Sequence, residues 1–171
     1  MTEPHHGGCA CGQVRYRMKA APMIVHCCHC SWCQTQTGSA FAVNALIEAE
    51  NVELLTGEVE EIATPSPSGK GQTIARCPTC RVALWSNYDM GGLRGRVRFV
   101  RVGTLDDPAQ VPPDVHIFTT TKLPWVQIPP EHQAVEVFYD VETTYTAEAL
   151  KRRGALYDAA GIVDPAKAFR G

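Results

Sequence analysis

The stretch VHCCHCSWCQTQTGSAF, from Val25 to Phe41, carries the densest group of reactive side chains in the sequence. It contains four of the eight cysteines of this 171-residue chain, with two histidines among them. Thiolates and imidazoles are the ligands that zinc prefers in proteins, so the stretch indicates a metal centre. The six candidate ligands are His26, Cys27, Cys28, His29, Cys30 and Cys33.

The spacing within this stretch separates the candidates into two faces. Cys28 and Cys30 lie two positions apart, and Cys33 completes a C-x-x-C pair, so three thiolates can converge in a tight loop. Neighbouring side chains of an extended segment point to opposite faces, which turns Cys27 and His29 away from that group. Three protein ligands leave the fourth position of a zinc ion open, as in catalytic sites. The alternative is a closed site, in which one of the other three candidates supplies the fourth ligand.

Two further cysteine pairs lie outside this stretch. CPTC, from Cys77 to Cys80, is a C-x-x-C turn that directs two sulfurs toward one point. CAC places Cys9 and Cys11 on the same face of an extended segment. Two ligands do not make a structural site, so the two pairs together predict a closed four-cysteine site. The alternatives for Cys77 and Cys80 are a buried apolar pair and a dithiol redox motif.

The bulk composition argues against several classes of protein. A chain of 171 residues predicts a single domain, 1–171, and a net charge of -2, from 16 basic and 18 acidic residues, favours no nucleic-acid partner. The start, MTEPHHGG, has no signal-peptide pattern, and the chain has no apolar run of membrane-spanning length. These features predict a cytoplasmic protein with no membrane partner. Closely paired cysteines in a reducing compartment indicate metal ligands rather than disulfides.

Runs of β-branched and aromatic residues bounded by turn residues predict a mainly antiparallel β body. In QVRYRM, the alternation puts Val14, Tyr16 and Met18 on one face of a strand. The stretch TPSPSGKGQ predicts a loop. The other predicted strands are AFAVNALI, VELLTGE, QTIAR, VALWS, VRFVRVG, VHIFTTT and AVEVFY.

Helix is predicted only at the end of the chain, in TAEALKRRGALYDAAG. Thr146 is suited to cap its N-terminus, Glu148 lies in its first turn, and Gly161 is suited to end it. Leu150 and Tyr157 share one face of this helix.

In their order, the motifs GGCACGQVRY, CCHCSWCQTQTGSAF, LTGE and CPTC resemble the glutathione-dependent formaldehyde-activating enzyme family, which also includes centromere protein V. The resemblance runs from Gly7 to about Trp125, where VHIFTTTKLPW is also similar. It implies a tent-like antiparallel β fold (Mss4-like), shared with a small nucleotide-exchange chaperone family and carrying zinc knuckles. The family-like core then covers about 7–140, and 141–171 is a C-terminal helical extension.

The resemblance also implies two zinc ions per chain. The implied activity is that of a carbon-sulfur lyase, which forms or cleaves S-hydroxymethylglutathione from formaldehyde and glutathione, or acts on a related thiol-aldehyde adduct. The implied partner is a small-molecule thiol such as glutathione. The implied ligands are Cys9, Cys11, Cys77 and Cys80 for a structural zinc, and Cys28, Cys30 and Cys33 for a catalytic zinc.

The sequence departs from the family pattern just after the second knuckle. Glycine usually follows the last cysteine there, at a position where the chain turns back with positive φ, but here Arg81 follows Cys80. Arginine adopts such a conformation only at a cost in free energy, so a local difference in the turn is expected.

Several residues around the cysteines have candidate roles beside the metal. Gln34 and Gln36 are suited to orient a fourth ligand, and Gly38 either lets the backbone pass close to the metal loop or makes an ordinary turn. His116 is expected to be a hydrogen-bonded core histidine. The carboxylates of glutathione call for a cation near the site, for which the candidates are Lys70, Arg76, Arg94 and Arg96.

Two other functions are compatible with the same residues. One is a non-catalytic zinc-stabilised scaffold that binds a partner protein. The other is a thiol redox protein that uses Cys27 with Cys28 or Cys30.

Overall fold

The structure, a computed structural model, describes residues 4–168. Most regular elements in this part of the chain are strands, as the β-branched and aromatic runs predict. In chain order the strands are β1 (His5–Gly8), β2 (Arg15–Met18), β3 (Ile24–Cys28), β4 (Ala42–Glu48), β5 (Val52–Thr56), β6 (Glu60–Thr64), β7 (Gln72–Arg76), β8 (Ala83–Tyr88), β9 (Val97–Arg101), β10 (Val115–Ile117) and β11 (Gln133–Ala134).

Among the described residues, α-helices are fewer, and three of the four follow the last strand. Within residues 4–168, none is long and apolar enough to cross a bilayer. The α-helices are α1 (Ser31–Thr37), α2 (Val141–Thr144), α3 (Ala147–Ala160) and α4 (Pro165–Ala168). Short 3-10 helices cover Ala49–Asn51, Val102–Thr104, Pro108–Gln110 and Thr119–Thr121.

The strands form two sheets. One has the order β1, β2, β5, and the other has the order β11, β10, β3, β4, β9, β8, β7, β6. The first sheet is antiparallel, whereas in the second β10 runs parallel to both β3 and β11. The fold is therefore mainly β, as predicted, but the larger sheet is mixed. The parallel pairing of β10 with β3 brings His116 into register with Cys27.

Buried side chains from both sheets form a first core cluster. The predicted face of β2 is confirmed, because Val14, Tyr16 and Met18 are completely buried. The Tyr16 and Trp85 rings meet edge to face with 5.7 Å between their centroids. Cys9 and Cys77 belong to this cluster, so the four-cysteine region lies against the core that joins the two sheets.

The C-terminal helix α3 covers a second core cluster on the larger sheet. The Thr146 hydroxyl accepts a hydrogen bond from the Ala149 N–H at 3.2 Å, and Gly161 ends the helix with φ of 67°. Both predicted helix ends are thus confirmed. Tyr157 is buried, and Leu150 packs partly buried against the same cluster.

Two local predictions are wrong. Helix is not confined to the end of the chain, because α1 begins inside the cysteine-rich stretch. In AVEVFY, only Ala134 belongs to a strand, although Val135 N–H still bonds the His116 carbonyl at 2.9 Å. Directly after β10, Phe118 adopts a left-handed conformation, with φ of 56°, so this strand does not continue past Ile117.

Candidate metal centres and active site

The four cysteines outside the opening stretch meet at one point. The sulfurs of Cys9 and Cys11 are 3.4 Å apart, and those of Cys11 and Cys77 are 3.7 Å apart. All four sulfurs, including that of Cys80, lie within 4.8 Å of one another. A tetrahedral zinc ion with four thiolates needs sulfurs about 3.8 Å apart, so this group fits zinc.

Backbone N–H groups surround these sulfurs in two tight turns. The Val14 N–H donates to the Cys9 sulfur at 3.2 Å, and the Arg81 N–H donates to the Cys77 carbonyl at 3.0 Å. The backbone N–H of Val82 is the main cause that lowers the pKa of Cys80, to about 6. Hydrogen bonds from backbone N–H groups to sulfur favour thiolates, which are the metal-binding form of cysteine.

The turn after Cys80 keeps the conformation that glycine would adopt. Arg81 has φ of 62°, so the expected local difference is absent and the arginine takes the strained conformation instead. Its guanidinium forms an exposed ion pair with Glu60, on the neighbouring strand β6.

Cys28, Cys30 and Cys33 form a second group at the junction of β3 and α1. The Cys28 and Cys30 sulfurs are 3.5 Å apart, and all three sulfurs lie within 4.8 Å of one another. Cys30 caps α1, because its sulfur accepts a hydrogen bond from the Cys33 N–H at 3.3 Å. Among residues 4–168, no further Cys, His, Asp or Glu side chain joins this group.

Crowding separates the pKa values of these three thiols. The hydrogen bond from Cys28, together with that from Cys33, lowers the pKa of Cys30 to about 2. Hydrogen bonds with Cys30 and Cys33, together with burial, raise the pKa of Cys28 far above its usual range. For Cys33, the bond with Cys28 lowers the pKa, but Cys30 and burial together raise it to about 11. A cation bound among the sulfurs is the physical means of holding all three as thiolates.

The second group differs from the first in what it faces. Cys28, Cys30 and Cys33 line a cavity of about 1100 Å³, whereas none of the four cysteines of the first group lines it. A ligand in the cavity can therefore reach the three sulfurs directly. This is the arrangement expected of a site with an open coordination position.

Arg101, at the end of β9, brings a positive charge to this group. Its side chain lines the cavity, and its guanidinium donates to the Asn44 side-chain oxygen. The Nε atom is buried and has no hydrogen-bond partner within the described residues. Burial lowers the pKa of Arg101, while the negative charges of Cys33 and Cys28 oppose that shift. The cation thus lies where it can offset the charge of the thiolates.

Cys27 and His29 face away from the second group, as the alternation predicts. The Cys27 sulfur is 3.6 Å from His29 Nε2, and this nitrogen is 2.9 Å from His116 Nδ1. His116 is thus the buried, hydrogen-bonded histidine that was expected. His29 Nδ1 and His116 Nε2 are buried without partners in the described part of the chain. A bound metal would leave both N–H groups without an acceptor, so the donor set is a poorer fit for zinc than the two cysteine groups.

Comparison with known proteins identifies the chain at the level of its family. Residues 4–121 match the family model described as glutathione-dependent formaldehyde-activating enzyme. The chain belongs to this family. None of the curated proteins compared with it matches. A solved structure of a Rhodobacter sphaeroides protein is similar at 16% sequence identity and a TM-score of 0.42, over 59% of this chain and 87% of that chain.

The match to the formaldehyde-activating enzyme family includes both cysteine groups and Arg101. It ends at residue 121, before the segment that completes the cavity. Phe138, Tyr139 and Tyr145 all line the cavity from this later segment. The cavity of this family member is therefore built partly from residues that the family model does not cover.

Of the flanking residues, Gln34 has a different role from the one expected. Gln34 donates from Nε2 to the carbonyls of His29 at 2.7 Å and Thr121 at 2.9 Å, so it fixes α1 rather than a fourth ligand. Gln36 does line the cavity. Gly38 ends α1 with φ of 64° in open space, which makes it an ordinary helix-ending turn.

The predicted carboxylate-binding cations are wrong for this cavity. In the described residues, the arginines that line it are Arg101 and Arg153, and none of the four candidate cations does. Alternation in the strand could have indicated Arg101, since it lies two positions after Phe99, which lines the same cavity. No sequence signal places Arg153, because it reaches the site through the docking of α3. The four candidates were Lys70, Arg76, Arg94 and Arg96.

Proposed function

We propose that this chain is a zinc-dependent carbon-sulfur lyase resembling S-hydroxymethylglutathione synthase, which acts on glutathione and formaldehyde or on a related thiol-aldehyde adduct. The observation that supports this most directly is the position of Cys28, Cys30 and Cys33 on the wall of a large cavity. Membership of the formaldehyde-activating enzyme family supports the reaction class.

In this proposal the chain binds two zinc ions. Cys9, Cys11, Cys77 and Cys80 hold a structural zinc, and the three cavity cysteines hold a catalytic one. The protein acts in the cytoplasm on a small-molecule thiol, as a single domain, 1–171, with the tent-like fold that its family implies.

Each group near the cavity has a separate task in the reaction. Bound zinc supplies a Lewis acid that polarises an aldehyde oxygen or lowers the pKa of a thiol. Arg101 offsets the negative charge that three thiolates bring to a partly buried site, and Asn44 fixes the orientation of its guanidinium.

Metal analysis and one substitution test the proposal. We expect two zinc ions per chain in the purified protein. Cys30→Ser should lose one zinc and at least about 100-fold in turnover of thiol-aldehyde adducts, because it removes a ligand of the catalytic ion. Its circular dichroism spectrum should match that of the wild type.

A non-catalytic zinc scaffold gives a different outcome. In that case Co²⁺ substituted at the second group would show four protein ligands, and its absorption spectrum would not respond to added thiols. Full activity of the Cys30→Ser variant would contradict the lyase proposal directly.

A further inference from the structure

The cavity beside the cysteines is lined by a connected set of aromatic rings. Phe138 and Tyr139 stack with 4.4 Å between their centroids, and Tyr139 lies 5.2 Å from the His26 ring. His26 in turn lies 6.4 Å from Phe99, which contacts Tyr88 edge to face at 6.3 Å. All of these residues line the cavity, so a ligand that reaches the cysteines also meets aromatic faces.

His26 contributes a further ring to this set. It lies two positions before Cys28 on β3, with both residues lining the same cavity. Its Nε2 hydrogen bonds the Tyr139 hydroxyl, and its side chain is buried. The ring therefore adds to the aromatic surface beside the cysteines.

The aromatic wall from the last part of the chain is fixed by backbone bonds. The Phe118 N–H donates to the Val137 carbonyl at 2.9 Å, immediately before Phe138. Phe118 holds its left-handed conformation at this point, and its ring lies 6.5 Å from that of Phe138. Phe138 nevertheless remains 49% exposed, so an apolar face is available to a ligand.

One of the two arginines of the cavity is already engaged. Arg153 forms a bidentate ion pair with Asp164, at 2.6 and 3.0 Å, and both side chains are 7% exposed. Arg101 donates to Asn44, while its buried Nε has no partner in the described residues. This leaves Arg101 as a single cation of the cavity wall against the two carboxylates of glutathione.

Acidic side chains also line the cavity. Asp89, Asp140 and Glu142 line it, against the two arginines. Asp89 pairs with Lys70 at 2.8 Å, while Asp140 accepts from the Thr143 N–H at 3.0 Å. Glutathione, with two carboxylates and one ammonium group, carries a net negative charge, which these acids disfavour.

We propose that the ligand of this cavity is a thiol-aldehyde adduct that carries an uncharged aromatic group, rather than the glutathione adduct. The inference rests on the proposed lyase function. In the cleavage direction the carbon-sulfur bond breaks and its electron pair goes to sulfur. The hydroxyl proton leaves the oxygen and is taken up by the departing sulfur as the carbonyl forms. The products are one thiol and one aldehyde, and the aromatic group can belong to either.

A binding experiment tests the ligand class without any turnover. The probes are benzyl methyl sulfide and S-methylglutathione, which cannot react, titrated into the zinc-loaded full chain by calorimetry. We expect the benzyl compound to bind at least tenfold more tightly. Phe138→Ala should weaken its binding at least fivefold. Trp125→Ala should not, since Trp125 is an aromatic residue that is 69% exposed and does not line the cavity.

Turnover with three substrate pairs then locates the aromatic group. The pairs are benzyl thiol with formaldehyde, 2-mercaptoethanol with benzaldehyde, and glutathione with formaldehyde. We expect one of the two aromatic pairs to react at least tenfold faster, in kcat/KM, than the glutathione pair. The faster aromatic pair identifies whether the thiol or the aldehyde enters the aromatic part of the cavity.

The outcomes separate this inference from the lyase proposal. Equal or tighter binding of S-methylglutathione, with turnover of glutathione and formaldehyde unchanged by Phe138→Ala, overturns the aromatic ligand and leaves the lyase function intact. Tight, Phe138-dependent binding of the benzyl compound without turnover of any pair overturns the lyase function and supports the aromatic site.

Discussion

At Arg81 the residue type departs from the family pattern, but the backbone keeps the conformation that the pattern requires. The N–H of Arg81 closes the turn around Cys77, and the turn requires a left-handed conformation at this position. A non-glycine residue pays roughly 1–2 kcal/mol for that conformation. The exposed ion pair with Glu60, with side chains 61% and 48% exposed, returns little of this free energy.

Arg81→Gly should therefore be more stable than Arg81→Ala. Both variants lose the ion pair, but only the glycine also relieves the backbone. We expect a difference of about 1 kcal/mol in the free energy of unfolding, measured by urea denaturation of the zinc-loaded protein. Equal stability of the two variants would show that the turn does not keep its left-handed conformation in solution.

Arg101 is the residue whose charge matters most to the cavity cysteines. Replacing it with glutamine leaves the charge of the three thiolates without a nearby cation. Arg101→Gln should weaken zinc binding at the cavity group roughly 10–100-fold, measured by competition with a chromogenic chelator. Arg96→Gln is the matched control, because Arg96 is exposed and does not line the cavity. Similar zinc affinities for the two variants would contradict the role of Arg101.

At the scale of elements, sequence reasoning missed α1, as well as the strands β1 and β6. The N-cap of α1 is a cysteine, Cys30, rather than the usual Ser, Thr, Asp or Asn, so this residue was interpreted as a metal ligand and not as a helix cap. Gly38, at the other end, was a usable stop signal. By contrast, both ends of α3 were predicted, because Thr146 and Gly161 act through hydrogen bonds between residues that are close in the sequence.

The attachment of α3 to the larger sheet depends on an ion pair with β4. The Arg152 Nε donates to Glu48 at 2.7 Å, and Glu48 is 6% exposed. Burial raises the pKa of Glu48, but the hydrogen bonds from Arg152 and neighbouring donors together lower it by more, so the net shift is downward. Glu48→Gln should cost about 2 kcal/mol at pH 7, because it leaves the guanidinium partly buried without its partner. Glu53→Gln, which breaks the exposed pair with Arg17, should cost less than about 1 kcal/mol.

The same pair predicts a pH dependence. The lowered folded-state pKa means that the contribution of Glu48 is complete above its unfolded pKa of about 4.3 and is lost as the pH falls through the folded value. Wild-type stability should therefore decline below about pH 5, and Glu48→Gln should decline less steeply. Parallel curves for the two proteins, from urea denaturation at several pH values, would contradict this linkage.

At the scale of the whole molecule, the two cysteine groups belong to different parts of the core. Cys9 and Cys77 lie in the cluster that joins the two sheets, whereas Cys28 lies in the cluster beneath α3. A metal ion held by the first group would link the two sheets. A metal ion held by the second group would affect one loop and the cavity.

Cys77→Ser and Cys30→Ser should consequently differ in stability. We expect Cys77→Ser to lose at least about 3 kcal/mol, which lowers Tm by roughly 6–12 °C in a protein of this size. Cys30→Ser should lower Tm by less than half as much. Thermal melts monitored by circular dichroism, with zinc content measured for each variant, test the difference. A larger loss in Cys30→Ser would reverse the proposed division into structural and catalytic sites.

The sequence was most informative where chemistry is local or periodic. Alternation along an extended segment separated Cys27 and His29 from the cavity thiols, and the structure has that separation. The metal-binding roles themselves remain predictions. The cavity could not be predicted, because its wall combines β3, β9 and a segment that is distant from both in the sequence. Long-range placement also explains why the four candidate cations were wrong and Arg153 was missed.

The four-cysteine group also constrains the order of assembly. Cys11 and Cys77 are 66 positions apart, so any ion held there must close a long loop, at a cost in chain entropy that grows slowly with loop length. The cavity cysteines span only a few residues, so an ion bound to them closes almost no loop. As the chain leaves the ribosome, the cavity group is complete once Cys33 has emerged, whereas the first group must wait for Cys80. Metal can therefore enter the reactive site before the site that joins the sheets exists.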